Sequence, residues 1–348
     1  MEPVKQNVLD VIGSAGQWLK GEDAIALATV IDTWGSAPVP VGGQMLVSAD
    51  GKFLGSVSGG CVEAEVIAQA EDIIKAGAGT PPKTLEFGIA DETAWRVGLP
   101  CGGSIQVYVE RLSAKGADAA TVTRLITARE KRQGLVLATT LKTGARQIIA
   151  DDEAIPAGPL AEDIARAFAT GESRTVETAE GPAFVQALLP PPRLMIIGAT
   201  HIGQVLAELA AMVDLNADVI DPREAFASAA RFPGKTVVTQ WPGEALAALG
   251  LDRYTAVVAL AHVGNIDDEA LEAALKAPCF YVGALGSRRS HAKRRERLSE
   301  KGFGDADFAR IRGPIGLDIG AVTPAEIAVS IIAEIIAARR TKRRVSAS

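Results

Sequence analysis

The chain is poor in the residues that usually announce chemistry. Among 348 residues there are three cysteines and three histidines. An odd and small cysteine count supports no disulfide framework and points to a reducing compartment. A structural zinc site needs about four Cys or His ligands. The first half has only Cys61 and Cys101 and no histidine, while His201, His262 and His291 all fall in the second half, so a zinc site in the first half is not expected. Positive charge is also short: the net charge is −6, and nucleic-acid binding needs a basic surface. No apolar run approaches the roughly 20 residues that span a bilayer. Met1 to Gln6 lacks the charged-then-apolar form of a signal peptide. The expectation is a cytoplasmic protein with neither membrane nor nucleic acid as partner.

What is present is long enough for two domains. Leu189-Pro190-Pro191-Pro192-Arg193 marks the seam, because consecutive prolines suit neither a helix nor a central strand. The predicted domains are 1–189 and 190–348. Before the seam, predicted strands pair through hairpins. One has Ser48-Ala49-Asp50-Gly51 at its turn, and another joins 134–141 to 146–149. Helices are predicted from about Cys61 to Lys75, from Ala117 to Arg132 and from Glu162 to Ala169, giving an α+β domain. After the seam, short apolar runs at 194–197, 217–220, 236–239, 256–261 and 279–282 alternate with helical stretches. That is the pattern of a Rossmann-like doubly wound parallel sheet. The last helix opens at Thr323-Pro324-Ala325-Glu326, a capping box, with a stripe of Ile327, Ile331, Ile332, Ile335 and Ile336.

Two of the three cysteines sit beside glycines, in Ser56-Val57-Ser58-Gly59-Gly60-Cys61-Val62-Glu63 and in Gly98-Leu99-Pro100-Cys101-Gly102-Gly103. Glycine permits sharp turns that leave amides bare. A thiol at the start of a helix has a lowered pKa, so Cys61 is a candidate for chemistry at sulfur or for contact with a held ligand, with Ser58, Gly59 and Gly60 around it. The competing reading is a small buried residue at a tight helix–sheet contact. For Cys101 and Gly102 a second contact and a structural neighbour stand level. Cys279 reads as core in an apolar strand. Glu63 and Glu65 offer acid–base chemistry or plain stabilisation of the helix dipole.

In the second half, Leu194 to Ile197 leads into Gly198-Ala199-Thr200-His201-Ile202-Gly203. This resembles a dinucleotide-binding turn with Thr200 at its middle glycine position, where a side chain crowds a pyrophosphate. Asp221 ends the next strand and could bond a ribose 2′-hydroxyl, with Arg223 close by. NAD(P) or another nucleotide is one candidate ligand; a turn that only builds the fold is the other. His201, His262 and Asp318 are further polar candidates. Ser287 begins a cationic helix carrying Arg288, Arg289, Lys293, Arg294, Arg295 and Arg297. Arg288, nearest the loop, is the candidate phosphate contact, and a solvated helix face is the alternative.

Taken together, these blocks, with Thr33-Trp34-Gly35-Ser36-Ala37-Pro38, Tyr281 to Arg289 and Gly313 to Gly320, resemble the XdhC/CoxI family of xanthine dehydrogenase accessory proteins. The resemblance runs over nearly the whole chain. It implies a maturation factor that binds molybdenum cofactor (molybdopterin), supports its sulfuration by a cysteine desulfurase and passes it to a molybdenum hydroxylase. It further implies a homodimer. Under it, Cys61 becomes the candidate molybdenum contact. Thr200 and the stretch Ala261 to Asn265 depart from the family pattern, and both lie in the Rossmann-like half. The alternative reading is an NAD(P)-dependent oxidoreductase.

Overall fold

The computed structural model describes residues 8–35, 37–60, 62–88 and 103–345. These divide into two compact units that meet in sequence between Pro190 and Pro191.

The first unit is built on two antiparallel sheets. Its elements are α1 (Val8–Trp18), β1 (Ala24–Trp34), β2 (Gln44–Val47), β3 (Phe53–Gly55), α2 (Glu63–Ala76), β4 (Lys83–Phe87), β5 (Ser104–Ser113), α3 (Gly116–Glu130), β6 (Leu135–Thr140), β7 (Arg146–Ala150), α4 (Ala161–Thr170), β8 (Arg174–Thr178) and β9 (Gly181–Leu188). One sheet runs β3-β2-β1-β5-β4 and the other β7-β6-β9-β8. Strand side chains alternate between faces, and β1 uses both. Ala26, Ala28 and Val30 join Val107 and Val109 of β5 against Val66, Ala70 and Ile73 of α2. Leu27 turns the other way, toward Leu135, Leu137 and Leu188 of the second sheet. Ile31 and Tyr108 meet Leu141 and Phe184 there. The second sheet covers its far face with Ile164 and Ala167 of α4.

The second unit contains β10 (Arg193–Ile197), α5 (His201–Met212), β11 (Asn216–Ile220), β12 (Thr236–Val238), α6 (Pro242–Leu249), β13 (Thr255–Ala259), α7 (Gly264–Lys276), β14 (Tyr281–Ala284), α8 (Arg288–Glu300), α9 (Asp305–Phe308), β15 (Ile311–Arg312) and α10 (Pro324–Val345). The sheet order is β12-β11-β10-β13-β14-β15, and every neighbouring pair is parallel. One face packs Leu194, Ile196 and Val258 on α5 and α10. The opposite face packs Met195, Ile197 and Val257 on α6 and α7. Burial on both faces explains why the strands are continuous apolar runs. The order reverses between β10 and β13, so the crevice at their carboxyl ends is where open α/β sheets bind ligands.

Three of these elements lay outside the sequence reading, α1, α9 and β15. Two residues of β15 are too few to display a period. The capping box of α10 is formed: Glu326 N–H donates to Thr323 Oγ1 at 3.3 Å, and Thr323 N–H donates to Glu326 Oε2 at 2.9 Å. Of its isoleucine stripe, Ile331, Ile332 and Ile335 are buried, whereas Ile336 has rotated to the exposed side. Cys279 is buried in the core, as expected, but in the turn before β14 rather than in the strand. Burial, opposed by the nearby Arg310 charge, pushes its thiol up to about 11, which makes it inert near neutrality.

Truncation of fully buried Ile331 to alanine should cost about 2–5 kcal/mol. Hydrogen exchange followed by mass spectrometry should show the loss of protection within residues 191–345 and leave residues 8–190 unchanged.

Candidate functional site

The loop between β3 and α2 is closed on itself by one carboxylate. Glu63, in the first turn of α2, is buried. Its Oε1 accepts from Ser56 Oγ at 2.6 Å and from the N–H groups of Val57, Ser58 and Gly59 at 3.2, 2.9 and 3.1 Å. Its Oε2 accepts from Ser58 Oγ at 2.5 Å and from the N–H groups of Gly60 and Val62 at 2.9 and 3.2 Å. Gly59 and Gly60 have φ of 81° and 118°, a region open to glycine that lets successive amides converge. Burial by itself would raise the Glu63 pKa. The hydroxyls of Ser56 and Ser58 and the backbone amides outweigh it and hold the group at about 2. The amides expected to lie bare beside Ser58, Gly59 and Gly60 are therefore engaged by the chain's own anion. Cys61, Cys101 and Gly102 lie outside the described residues.

The turn after β10 is likewise satisfied from within. Gly198 has φ of 109°, and a methyl there would sit 2.5 Å from the Ala261 nitrogen. A methyl on Gly203 would sit 2.6 Å from the Gly198 carbonyl oxygen. Both glycines are thus required by packing, with or without a nucleotide. Thr200 is the N-cap of α5, its Oγ1 accepting from Gly203 N–H at 3.2 Å. Asp221 is fully buried. It accepts from Ala199 N–H at 2.8 Å and from Arg223 through N–H, Nε and Nη2 at 3.0, 2.9 and 2.7 Å. Burial would raise its pKa, but the Arg223 and Ala199 donors outweigh that and lower it. Arg223 also lies over the Phe226 ring at 4.2 Å. Asp221 is an organiser of this turn here, and its acceptor sites are taken.

A third buried carboxylate holds the loop after β13. Asp267 accepts from Ala261 N–H at 3.1 Å and lies 3.6 Å from Nη2 of buried Arg294. Burial raises its pKa to about 6, against the pull of Arg294 and the Ala261 amide and with a push from Asp268. Arg294 Nη2 donates to the Leu285 carbonyl at 3.2 Å, and Nη1 lies 3.1 Å from His291 Nδ1. Arginine only donates, so Nδ1 is the acceptor. The His291 proton therefore sits on Nε2, donated to the Ala284 carbonyl at 3.2 Å. Burial and the Arg294 charge lower the His291 pKa. Arg297 Nη2 pairs with Asp268 Oδ1 at 3.0 Å. His262 takes φ of 57°, uncommon for a side-chain-bearing residue.

The parallel sheet brings Gly198, Thr200, His201, Gly203, Asp221 and His262 to one edge of the second unit, with His201, His262 and Arg288 exposed. Ser58, Gly59 and Gly60 belong to the first unit. Sequence reasoning missed Asp267 and Arg294. The signal was the spacing His291, Arg294, Leu298, one helix face turned inward, so Arg294 and not Arg288 is the buried cation of α8. Among the described residues, no cluster of three or more His, Cys, Asp or Glu is placed to hold a metal ion, and no helix is long and apolar enough to cross a membrane.

Glu63→Gln replaces an acceptor with a donor among seven donors and should cost about 2–3 kcal/mol near pH 7. Because the folded-state pKa lies below the ordinary value, this stabilisation is complete above about pH 4.5 and fades as pH falls toward 2. Chemical denaturation of both proteins across that range should show the gap closing. Asp267 has the opposite sign: its contribution is full below about pH 4 and is lost as pH rises through 6. Carboxyl ¹³C NMR should find one resonance titrating near pH 6 that is absent in Asp267→Asn.

A family model described as the XdhC Rossmann domain matches residues 194–335, and one described as the XdhC and CoxI family matches residues 18–88. The chain is 29% identical to the molybdenum cofactor insertion chaperone PaoD of Escherichia coli (strain K12), over 92% of this chain and 85% of PaoD. It is also 29% identical to a probable xanthine dehydrogenase subunit of Bacillus subtilis (strain 168), over 94% of this chain and 96% of that protein. The crystal structure of a xanthine dehydrogenase from Bacillus halodurans shares the fold, with a TM-score of 0.58 at 24% identity over 96% of each chain. With one family model matched in each unit, in order along the chain, and relatives aligned almost end to end, this protein belongs to the XdhC/CoxI family.

Proposed function

We propose that this protein is a maturation factor for molybdenum hydroxylases: it takes up molybdenum cofactor as cargo, shields it, supports its sulfuration and hands it to a client such as xanthine dehydrogenase. The observation that carries this reading is the nearly full-length relationship to PaoD, a molybdenum cofactor insertion chaperone. Within it, Cys61 is the metal contact. A thiolate suits a soft, sulfur-ligated metal. The two residues that flank Cys61 in sequence, Gly60 and Val62, both donate their amides to Glu63, which supports a role for Glu63 in setting the loop around that thiol. A cysteine desulfurase, a second copy of the chain and a cytoplasmic setting complete the proposal.

Hydride transfer through the second unit has less behind it. A dinucleotide needs an acceptor for its ribose and open amides at the turn. Asp221 is fully bonded within the chain, and Thr200 already takes the Gly203 amide.

The test is purification of the full chain from a host that makes the cofactor. Extracted pterin and molybdenum should approach one per chain, and the loaded protein should activate a cofactor-free hydroxylase. Cys61→Ser should lose molybdenum. A protein that carries neither pterin nor metal, yet turns over a nicotinamide, would overturn the proposal.

A further inference from the structure

The first unit has a cavity of about 370 Å³ lined by Pro40 to Gly43, by Gly171, Glu172 and Ser173, and by Gln186 and Ala187. Its walls are the connection from β1 to β2, the turn between α4 and β8, and strand β9. Within β9, Phe184 and Leu188 pack toward the first sheet. By the two-residue period, Gln186 between them faces the same way.

The lining has a definite chemistry. Glu172, exposed at the mouth, is its one charged residue, and no Lys, Arg or His is among the lining residues. A phosphate would find no cation there. Gln186 is 3% exposed. Its Nε2 donates to the Gly42 carbonyl at 3.4 Å, and its Oε1 has no partner among the described residues. An amide oxygen left open on the cavity can accept from a donor on a ligand. Gly42, with φ of 91°, has no side chain over its peptide, and a methyl there would come within 3.4 Å of Ser173 Oγ. Pro40 and Val41 supply an apolar wall. One residue beyond the lining, Gln44 is 2% exposed and its Oε1 is also unpartnered. Small-molecule sites run from about 300 to 1,000 Å³, so this cavity admits one small ring system and not a dinucleotide.

We propose that this cavity receives the uncharged pyrimidinone edge of a pterin. The N3–H and 2-amino donors of that edge would meet Gln186 Oε1 and the Glu172 carboxylate, and the ring face would lie on Pro40 and Val41. The proposal rests on the cofactor role argued above and identifies which end of the cargo is read here: the ring, with the phosphate outside.

The test uses the full chain and 6-hydroxymethylpterin, a phosphate-free probe, titrated by its fluorescence. Saturable binding is expected, indifferent to inorganic phosphate. Gln186→Leu should weaken it about tenfold or more, and Glu172→Gln several-fold. Glu172 is exposed, so its variant tests the site without disturbing the core. Equal binding by wild type and both variants overturns the assignment. So does absence of pterin binding by a protein that still carries molybdenum cofactor from its host, a result that leaves the cofactor role standing. Absence of both removes the role together with the site.

Discussion

A carboxylate taken out of water must be met by donors, and that requirement shapes the loop before α2, the turn after β10 and the loop after β13. Glu63, Asp221 and Asp267 are all buried, and each gathers backbone amides from a strand-to-helix connection. The balance of donors against burial decides their titration. Glu63 collects five amides and two hydroxyls, and Asp221 collects two amides and a guanidinium, so both are held below the ordinary range. Asp267 has fewer donors and an acidic neighbour, so burial wins and its pKa rises. The same interaction that leaves two of these anions charged at neutral pH leaves the third able to change state near pH 6.

This arrangement alters the meaning of the glycine-rich loops. Such loops attract attention because bare amides bind anions. Here the loop at 56–62 is filled by Glu63, and the turn at 198–203 is tied by Thr200 and Asp221. Gly198 and Gly203 are demanded by contacts with Ala261 and with each other's turn. An external anion would have to displace an internal one in the first unit. The cavity near Gln186 differs, because there the unpartnered group is an amide oxygen and the surroundings hold no cation. The polar demand of the first unit is thus for a donor-bearing, uncharged ligand at one place and is met internally at the other.

Much of the architecture was legible before any coordinates. The hairpin at Ser48 to Gly51, the helix that follows Val62, the capping box at Thr323 and Glu326 and the alternating strands of the second unit each rest on a local rule. Element by element, the observed bounds lie within a few residues of those expected. Strand β15, two residues long, is too short to show a period, and the inward face marked by His291, Arg294 and Leu298 was hidden among the cations around it. Arg294 stood in a run of cations that reads as a solvated face, and only the packing of α8 on α7 separates it from Arg295 and Arg288.

By itself the chain determined which segments are strands and helices, that two units follow one another, and which family its ordered motifs resemble. Those properties depend on residue spacing, steric freedom and capping, all of which act over a few neighbours. Tertiary structure alone decided which polar groups are available. Whether the Ser58 amide faces a ligand or Glu63, whether Asp221 meets a ribose or Arg223, and whether Gln186 opens onto a cavity are questions of donors and acceptors brought together from distant positions. Their free energies depend on exclusion of water, which no local pattern encodes.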